Sequence, residues 1–318
     1  MRDYDLIVIG GGIAGLTAAL SALEAGAKNA LILERQRIVG GTLNQCIHSG
    51  FGKKLLNVEL TGPEYASAVA NKLKDYDVDI RTNTEVIEIT RGKKVCFVNS
   101  EDGVVECYAK AIIMATGCRE KHTASDISLY KVTGIYTLVS AHKIINGEGY
   151  LPGKESVILA TNLWAAYVAR RLMIEGGNVK ALIAKDEDKF KVDKEFLNII
   201  EGFDIPLILN GNIIDIFGKN RIEGVKILSD GKTITEKCDS LIISAILLPE
   251  VDLLKKIGGL IDINTYAPMI DNFATSIDGI FACGNLIYGL DAPTRRDVNG
   301  FDAGKEAFKY IKELGKNI

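Results

Sequence analysis

The chain has 318 residues, a net charge of −3, 47% hydrophobic residues and 32 glycines. This length favours two domains, and the near-neutral charge gives no electrostatic reason to expect nucleic acid or an anionic membrane as a partner. No apolar run approaches the ~20 residues needed to span a bilayer, and the first apolar run begins almost at residue 1. We therefore expect a cytoplasmic protein without a membrane span or a signal peptide.

The N-terminal residues form the most informative pattern. Residues 4–9 are a nearly continuous apolar run, typical of a parallel strand that is covered on both faces. Gly10, Gly12 and Gly15 have the spacing of a dinucleotide-binding turn: the first permits the turn, the second lets phosphates approach the backbone, and the third lets the helix pack on the strand. Glu34 ends the next predicted strand, where its carboxylate can accept ribose hydroxyls. The pattern predicts dinucleotide binding rather than a glycine turn that serves packing alone.

The next elements are a helix and two strands. Thr61 is a candidate N-cap, with Glu64 in the first turn of a helix that runs towards Leu73. Residues 84–89 and 94–98 read as strands of a small antiparallel layer.

A second strand, turn, helix and strand follow in residues 156–184, without the glycines. Ala160, Asn162 and Ala165 take the positions of the three glycines, and Ala184 ends the second strand where a ribose-binding acid is expected. A Cβ at Asn162 occupies the space in which a pyrophosphate approaches the backbone. This unit is predicted to have lost ordinary dinucleotide binding, and an altered nucleotide-binding mode is the alternative.

The six cysteines and three histidines are scattered along the chain. Structural zinc and cysteine-ligated iron–sulfur clusters need grouped ligands, and no such grouping occurs in the sequence. We therefore predict no metal site and expect reduced thiols.

Several segments carry a resemblance to a known superfamily. Residues 40–42 (Gly-Gly-Thr) follow the second strand, residues 111–117 read as a buried strand that ends in an Ala-Thr-Gly turn, and residues 279–285 resemble the second FAD motif G-x-h-A-x-G-D, where h is apolar. With the N-terminal turn, they resemble the pyridine nucleotide-disulfide oxidoreductase superfamily, at about the length of thioredoxin reductase. Residues 43–52 and 60–65 are more narrowly similar to flavoprotein partner subunits of bacterial dehydrogenase clusters for glycerol 3-phosphate and proline.

The resemblance implies an α/β fold of two Rossmann-like, three-layer ββα dinucleotide-binding domains, the second inserted in the first. The FAD-binding domain would comprise residues 1–120 and 249–318, and the domain with the degenerate glycine motif would comprise residues 121–248. The implied cofactor is non-covalent FAD. Its implied contacts are Gly10, Gly12, Ile13, Ala14, Gly15, Glu34, Arg35, Gly41, Thr42, the backbone of Val86, Ala115, Thr116, Gly117, Gly284 and Asn285. Asn285 replaces the acid of the motif, and its amide can still hydrogen-bond a ribityl hydroxyl.

The redox-active disulfide of the superfamily is missing from this sequence. Of the two cysteines that follow the Gly-Gly-Thr turn in glutathione-reductase-like members, only Cys46 remains, with Leu43 near the other position. The C-x-x-C of thioredoxin-reductase-like members does not occur either, so disulfide reduction is not expected. Cys46 and His48 are the candidate catalytic residues. Cys46 is either a thiolate or a small packing residue, and His48 is either a donor to flavin or substrate or a structural hydrogen-bonding group.

The leading hypothesis is an FAD-dependent electron-transfer flavoprotein subunit that passes electrons between a partner dehydrogenase and another carrier, without ordinary NAD(P)H binding. Two alternatives stay open: a self-contained NAD(P)H-dependent reductase with an altered nucleotide site, and an FAD-containing structural subunit. The expected partner is a dehydrogenase or electron-carrier subunit, or a second copy of the chain. Arg295 and Arg296, just after the second FAD motif, are either ion-paired within a loop or contact an anionic ligand or partner.

Overall fold

The computed structural model describes residues 3–121, 132–185, 193–289 and 299–316, so that Arg295 and Arg296 lie outside the described residues. The described strands are β1 Asp3–Ile9, β2 Ala30–Leu33, β3 Val78–Arg81, β4 Glu85–Ile89, β5 Lys94–Asn99, β6 Gly103–Met114, β7 Cys118–Lys121, β8 Ile135–Thr137, β9 Glu155–Ala160, β10 Asn178–Ala184, β11 Leu207–Leu209, β12 Gly211–Gly218, β13 Ile222–Ser229, β14 Lys232–Lys237, β15 Ser240–Ile243, β16 Ile246–Pro249, β17 Ile270–Asp271, β18 Ala274–Thr275 and β19 Ile280–Ala282.

The described α-helices are α1 Ile13–Ala25, α2 Lys53–Leu56, α3 Gly62–Leu73, α4 Leu138–Glu148, α5 Trp164–Ile174, α6 Lys194–Gly202, α7 Asp252–Lys256 and α8 Gly300–Leu314. Two 3₁₀ helices span Gly41–Gln45 and Gly284–Ile287. None of the helices in the described ranges is long and apolar enough to cross a membrane.

The chain divides into two compact units. The first unit comprises Met1–Arg119 and Leu247–Ile318, and the second unit comprises Glu120–Ile246. The short strands β7 and β16 pair with each other where the chain passes between the two units.

A nine-stranded sheet organises the first unit. β1 pairs in parallel with β2 and β6, β2 pairs in parallel with β3, and β6 pairs in parallel with β19. The carboxyl ends of these strands therefore lie along one edge of the sheet. β6 is longer than its neighbours: its residues 103–108 pair with β5 in an antiparallel ladder, and its residues from Tyr108 to Met114 pair with β1.

The two faces of the parallel sheet carry separate apolar cores. Leu6 and Val8 of β1 belong to a core with α1, α3 and α8, whereas Ile7 and Ile9 belong to a core with β4 and β5. This separation follows from the period-2 alternation of side chains along a strand. The first unit thus has the three layers that the resemblance implies, an α-helical layer, a parallel sheet and an antiparallel layer.

Glycines let α8 approach α1 closely. A Cβ added at Gly300 would lie 2.0 Å from the carbonyl oxygen of Ala14, and one added at Gly304 would lie 2.2 Å from the carbonyl oxygen of Ala18. Both distances are far below any real Cβ contact, so α8 packs along α1 only because these positions lack side chains.

The second unit repeats the same three layers. Its parallel sheet has the order β11-β10-β9-β15-β8, and β12, β13 and β14 form an antiparallel sheet. Ile158 and Ala160 of β9 pack in a core with α4, α5 and α6, whereas Val157 and Leu159 pack in a core with the antiparallel sheet. The prediction of two Rossmann-like units is confirmed.

Candidate cofactor site

The glycine turn after β1 has three different local constraints. Gly10 has φ +106°, and a Cβ added there would lie 2.3 Å from the carbonyl oxygen of Ala115. A Cβ added at Gly15 would lie 1.9 Å from the carbonyl oxygen of Gly10. By contrast, a Cβ added at Gly12 meets no atom of the described chain within 4 Å. Gly10 and Gly15 are therefore required by the fold itself, and Gly12 borders open space.

The N-terminus of α1 faces that open space with backbone donors. The N–H groups of Gly12 and Ala14, on either side of Ile13, have no acceptor among the described residues. Such orphan donors, together with the positive end of the helix dipole, form a site suited to a phosphate group. Because this arrangement and the open Cβ position of Gly12 occur together, the residues fit the pyrophosphate of a dinucleotide.

Glu34 is buried and fixed at the end of β2. Its Oε2 accepts a hydrogen bond of 2.7 Å from the Gly11 N–H, and its Oε1 accepts one of 2.7 Å from the Gln36 N–H. Each carboxylate oxygen has a second lone pair, which leaves acceptor capacity for a ribose hydroxyl. The backbone carbonyl of Glu34 also accepts a hydrogen bond of 3.0 Å from the N–H of Thr84. Arg35 follows with an exposed side chain.

Val86 lies on β4 in the antiparallel layer, two residues after Thr84. Its side chain is buried, and the ladder between β4 and β5 shifts register between Val86 and Glu88. The structure thus places this backbone segment next to the end of β2.

The Gly-Gly-Thr turn lies beside the glycine turn of β1. The Gly40 N–H donates a 2.8 Å hydrogen bond to the Gly11 carbonyl, and a Cβ added at Gly41 would lie 3.0 Å from the Cα of Gly12. Thr42 is exposed, and its carbonyl accepts a hydrogen bond from the Cys46 thiol with an Sγ–O distance of 3.5 Å.

The second FAD motif packs onto the start of α1. Gly284 has φ +71°, and a Cβ added there would lie 2.6 Å from the Cβ of Ala14. The carbonyl of Asn285 accepts a hydrogen bond from the Cys118 thiol at 3.2 Å. The turn of Ala115, Thr116 and Gly117 is held by Glu250: its carbonyl accepts from Thr116 Oγ1 at 2.7 Å, and its N–H donates to the Gly117 carbonyl at 2.9 Å.

These segments converge at one edge of the first unit. The glycine turn, Glu34, the Ala-Thr-Gly turn and Gly284 follow β1, β2, β6 and β19, whose carboxyl ends share that edge. Open parallel sheets bind ligands at this edge. Cys118 and Glu250 were not predicted as part of the site. Position 118 directly follows the Ala-Thr-Gly turn, and that adjacency is the only signal in the sequence that pointed to it.

Cys46 and His48 occupy different environments. Cys46 is 5% exposed, and burial raises the pKa of its thiol to about 11. It therefore remains a neutral thiol near pH 7, which favours the packing role over the thiolate role. His48 is half-buried, its Nδ1 lies 2.9 Å from the Ser49 carbonyl oxygen, and its ring lies 5.2 Å from the ring of Phe51. All six cysteines of the chain are free thiols.

The turn after β9 in the second unit satisfies its own donors. The N–H of Thr161 donates to Ser244 Oγ at 3.2 Å, and the N–H of Trp164 donates to Asn162 Oδ1 at 3.0 Å. The next two N–H groups donate to the carbonyls of Asn162 and Leu163 at 3.2 and 3.0 Å. The Trp164 N–H, which corresponds to the Ala14 N–H in the first unit, thus has an acceptor within the protein. Within the described ranges, no three His, Cys, Asp or Glu side chains are grouped as a metal site.

Comparisons with known proteins find relatives in sequence and in fold. An alkyl hydroperoxide reductase subunit of Staphylococcus aureus (strain MRSA252) is 22% identical over 321 residues, which cover 95% of this chain and 59% of that protein. A "34.2 kDa protein in rubredoxin operon" of Clostridium pasteurianum is 28% identical over 324 residues and covers 98% of both chains. The crystal structure of T. acidophilum thioredoxin reductase has a TM-score of 0.76 at 22% identity, covering 99% of this chain and 100% of that one.

This chain spans only about 59% of the length of the alkyl hydroperoxide reductase subunits that it matches. The family model described as pyridine nucleotide-disulphide oxidoreductase matches residues 4–300, which is most of the sequence. The chain therefore belongs to the pyridine nucleotide-disulphide oxidoreductase family.

Proposed function

We propose that this protein is an electron-transfer flavoprotein subunit that passes electrons between a substrate-oxidising partner and another carrier, without a redox disulfide and without ordinary NAD(P)H binding. The observation that carries the proposal is the first turn of α5. There, Asn162 Oδ1 accepts a hydrogen bond of 3.0 Å from the Trp164 N–H, whose counterpart in the first unit, the Ala14 N–H, has no acceptor among the described residues.

The two units differ at one pair of equivalent backbone donors. At the start of α1, the N–H group of Ala14 has no acceptor among the described residues. At the start of α5, a bound pyrophosphate would have to displace Asn162 Oδ1 from the corresponding N–H of Trp164, a hydrogen bond worth about 0.5–1.5 kcal/mol net. This displacement disfavours nucleotide binding in the second unit relative to the first.

The first unit supplies the residues that would hold FAD. Gly12 and Ala14, with Ile13 between them, would bind the pyrophosphate at the start of α1, and Glu34 would accept the ribose hydroxyls. Asn285 lies at the second FAD motif, where its amide would bind the ribityl chain. When bound, FAD supplies the capacity to accept two electrons from one partner and to release them to another.

The thiol chemistry of the chain supports a route without a disulfide. Cys46 is a buried thiol with a raised pKa of about 11, and position 43, near the other family cysteine, is leucine. The name of the clostridial relative associates that protein with rubredoxin, which supports a protein electron carrier on one side of the flavin.

Anaerobic stopped-flow mixing of the FAD-loaded protein with NADH and with NADPH tests the proposal. We expect loss of the flavin absorbance at less than about 0.1 s⁻¹, below the ordinary range of enzyme turnover. Dithionite, which needs no nucleotide site, serves as the positive control for flavin reduction.

Bleaching at about 10 s⁻¹ or faster with micromolar nucleotide would overturn the proposal in favour of a self-contained NAD(P)H-dependent reductase. A flavin that no protein partner from the native complex reduces or oxidises would favour the structural-subunit alternative. Co-purification from the native host, with cofactors and neighbouring subunits identified together, supplies the partner for this second measurement.

A further inference from the structure

The connection between β2 and α3, residues 34–61, has an unusual charge for this protein. It carries four basic and two acidic residues, a formal charge of +2 in a chain of net charge −3. One of the two acids, Glu34, is buried and hydrogen-bonded to backbone N–H groups. The basic residues Arg35, Arg37, Lys53 and Lys54 are all exposed. We call the exposed side chains of this connection the basic loop face.

The connection is an ordered loop that is held by internal hydrogen bonds and packs against the core of the first unit. Its second half is closed at its base by a 2.8 Å hydrogen bond from the Gly62 N–H to the Cys46 carbonyl. Phe51 and Leu60 exchange backbone hydrogen bonds of 3.1 and 2.9 Å across it. Phe51 and Leu60, with Leu55 and Leu56, pack against the core of the first unit. A compact loop with close ends and its own packed side chains is of the kind that often carries function.

The exposed side chains of the connection are apolar as well as basic. Ile38 is 61% exposed, Val58 is 46% exposed and Ile47 is 37% exposed. Large apolar side chains among basic ones are the composition of a protein-binding surface, in which apolar residues form the centre and charges form the rim. A surface that bound only a small anion, or the phosphates of a nucleic acid, would have no use for these three aliphatic groups.

Three of the four basic side chains of this face have no acidic partner among the described residues. Arg35, Arg37 and Lys53 form no ion pair with any residue of the described ranges. Since the rest of the chain is net acidic, an acidic partner would be attracted to this face and repelled elsewhere. Such charge asymmetry steers association and orients the partner.

The same connection reaches the cofactor site. Between the exposed arginines and the loop, Gly41 packs against Gly12 at the start of α1. Cys46, at the base of the loop, hydrogen-bonds the carbonyl of Thr42 in the Gly-Gly-Thr turn. A protein docked on the loop would therefore contact the segment that lines the cofactor.

We propose that the basic loop face is the docking surface for a small acidic electron-carrier protein. This inference rests on the proposed function and names the partner class for it. The electrons balance as follows: two oxidised one-electron carriers take up the two electrons of one reduced flavin, and the two protons of the flavin go to solvent.

The test uses the FAD-loaded protein, with its flavin reduced photochemically under anaerobic conditions. The oxidant is a rubredoxin of negative net charge, and the second-order rate constant of its reduction is measured by stopped flow at several ionic strengths. The variant is Lys53→Glu/Lys54→Glu. The matched control is Lys255→Glu/Lys256→Glu, a second pair of adjacent exposed lysines in the first unit, at the end of α7.

We expect the wild-type rate constant to fall as salt is added, and the Lys53→Glu/Lys54→Glu rate constant to be at least about tenfold lower at low salt. The control variant should stay within about twofold of the wild type. The milder Lys53→Gln/Lys54→Gln pair should give an intermediate loss, which guards against a fold defect in the reversed variant. A basic c-type cytochrome should not be slowed by either variant, and neutral benzoquinone should oxidise all proteins equally.

Equal slowing by both lysine pairs would overturn the proposal, because it would assign the effect to net charge rather than to this face. No slowing in Lys53→Glu/Lys54→Glu would overturn it as well. Equal slowing with benzoquinone would instead reveal a damaged flavin site and would equally refute docking as the cause. Failure of the proposed function is distinguished by the nucleotide mixing experiment, because fast NADH bleaching refutes that proposal whatever the salt dependence with rubredoxin.

Discussion

Substituting Gly12 by alanine should separate cofactor binding from folding. Gly12 has φ −65° and ψ 171°, a conformation that any L-residue adopts, and its added Cβ meets no atom of the described chain within 4 Å. Alanine should therefore leave the apoprotein as stable as wild type or up to about 1 kcal/mol more stable, because it restricts the unfolded chain. The same methyl group would fill the space through which a pyrophosphate reaches the N–H groups of α1. Losing two charge-assisted hydrogen bonds of about 1.5–3 kcal/mol each would weaken FAD binding by about 10² to 10⁴-fold.

Two measurements on Gly12→Ala check this reasoning. Urea unfolding of the apoprotein gives the stability, and titration with FAD, followed by flavin fluorescence, gives the dissociation constant. Gly202→Ala is a matched control, since its added Cβ also meets nothing within 4 Å and it lies at the end of α6 in the second unit. A Gly12→Ala protein that binds FAD within about threefold of the wild type would refute the assigned path of the pyrophosphate. A large loss of apoprotein stability would refute the claim that the space is open.

Three further predictions concern the same unit. Glu34→Ala should lower the unfolding free energy measured in urea by about 2–4 kcal/mol, because the Gly11 N–H and a second backbone donor lose a charged acceptor. Burial raises the pKa of the Cys46 thiol to about 11, whereas the pKa of an unfolded cysteine is about 8.5. The thiol therefore contributes to the unfolding free energy below about pH 8.5, and this contribution is lost as the pH rises towards 11. Cys46→Ala should flatten that part of the pH dependence, and an unchanged slope would contradict it. Gly304→Ala should lower the unfolding free energy by about 1–3 kcal/mol, because the added methyl group would collide with the Ala18 carbonyl. This loss would be measured as a lower melting temperature.

The features that were predictable from the sequence are those set by local backbone geometry. Gly10 and Gly15 follow a continuous apolar run at a fixed spacing, and both positions prove intolerant of a Cβ for the reasons expected from the spacing. The start of α3 was predictable in the same way: Glu64 Oε2 accepts hydrogen bonds from the N–H and the Oγ1 of Thr61 at 2.9 and 2.7 Å. In each case the interacting groups lie within a few residues, so the sequence alone contains the information.

The features that could not be predicted depend on contacts between distant residues. Ser244 accepts from Thr161, 83 residues away, and Cys118 donates to Asn285, 167 residues away. The environment of Cys46 is also set by a residue farther along the chain, because Gly62 packs so closely that a Cβ added there would lie 2.9 Å from the Cβ of Cys46. The sequence identified the positions without glycine, but it did not predict that the Asn162 side chain accepts a hydrogen bond from the Trp164 N–H.

Under the proposed function, the second unit has lost its nucleotide while keeping its three layers. A buried N–H needs an acceptor, and a helix start that has given up a pyrophosphate must find one within the protein. Asn162 meets this need for the Trp164 N–H in the first turn of α5. In α1 the corresponding Ala14 N–H has no acceptor among the described residues, and Gly12 keeps the approach to it clear. The internal acceptor is therefore stronger support for lost nucleotide binding than the missing glycines are. A side chain in place of a glycine only obstructs a ligand. An internal acceptor also takes the hydrogen bond that would stabilise the bound ligand.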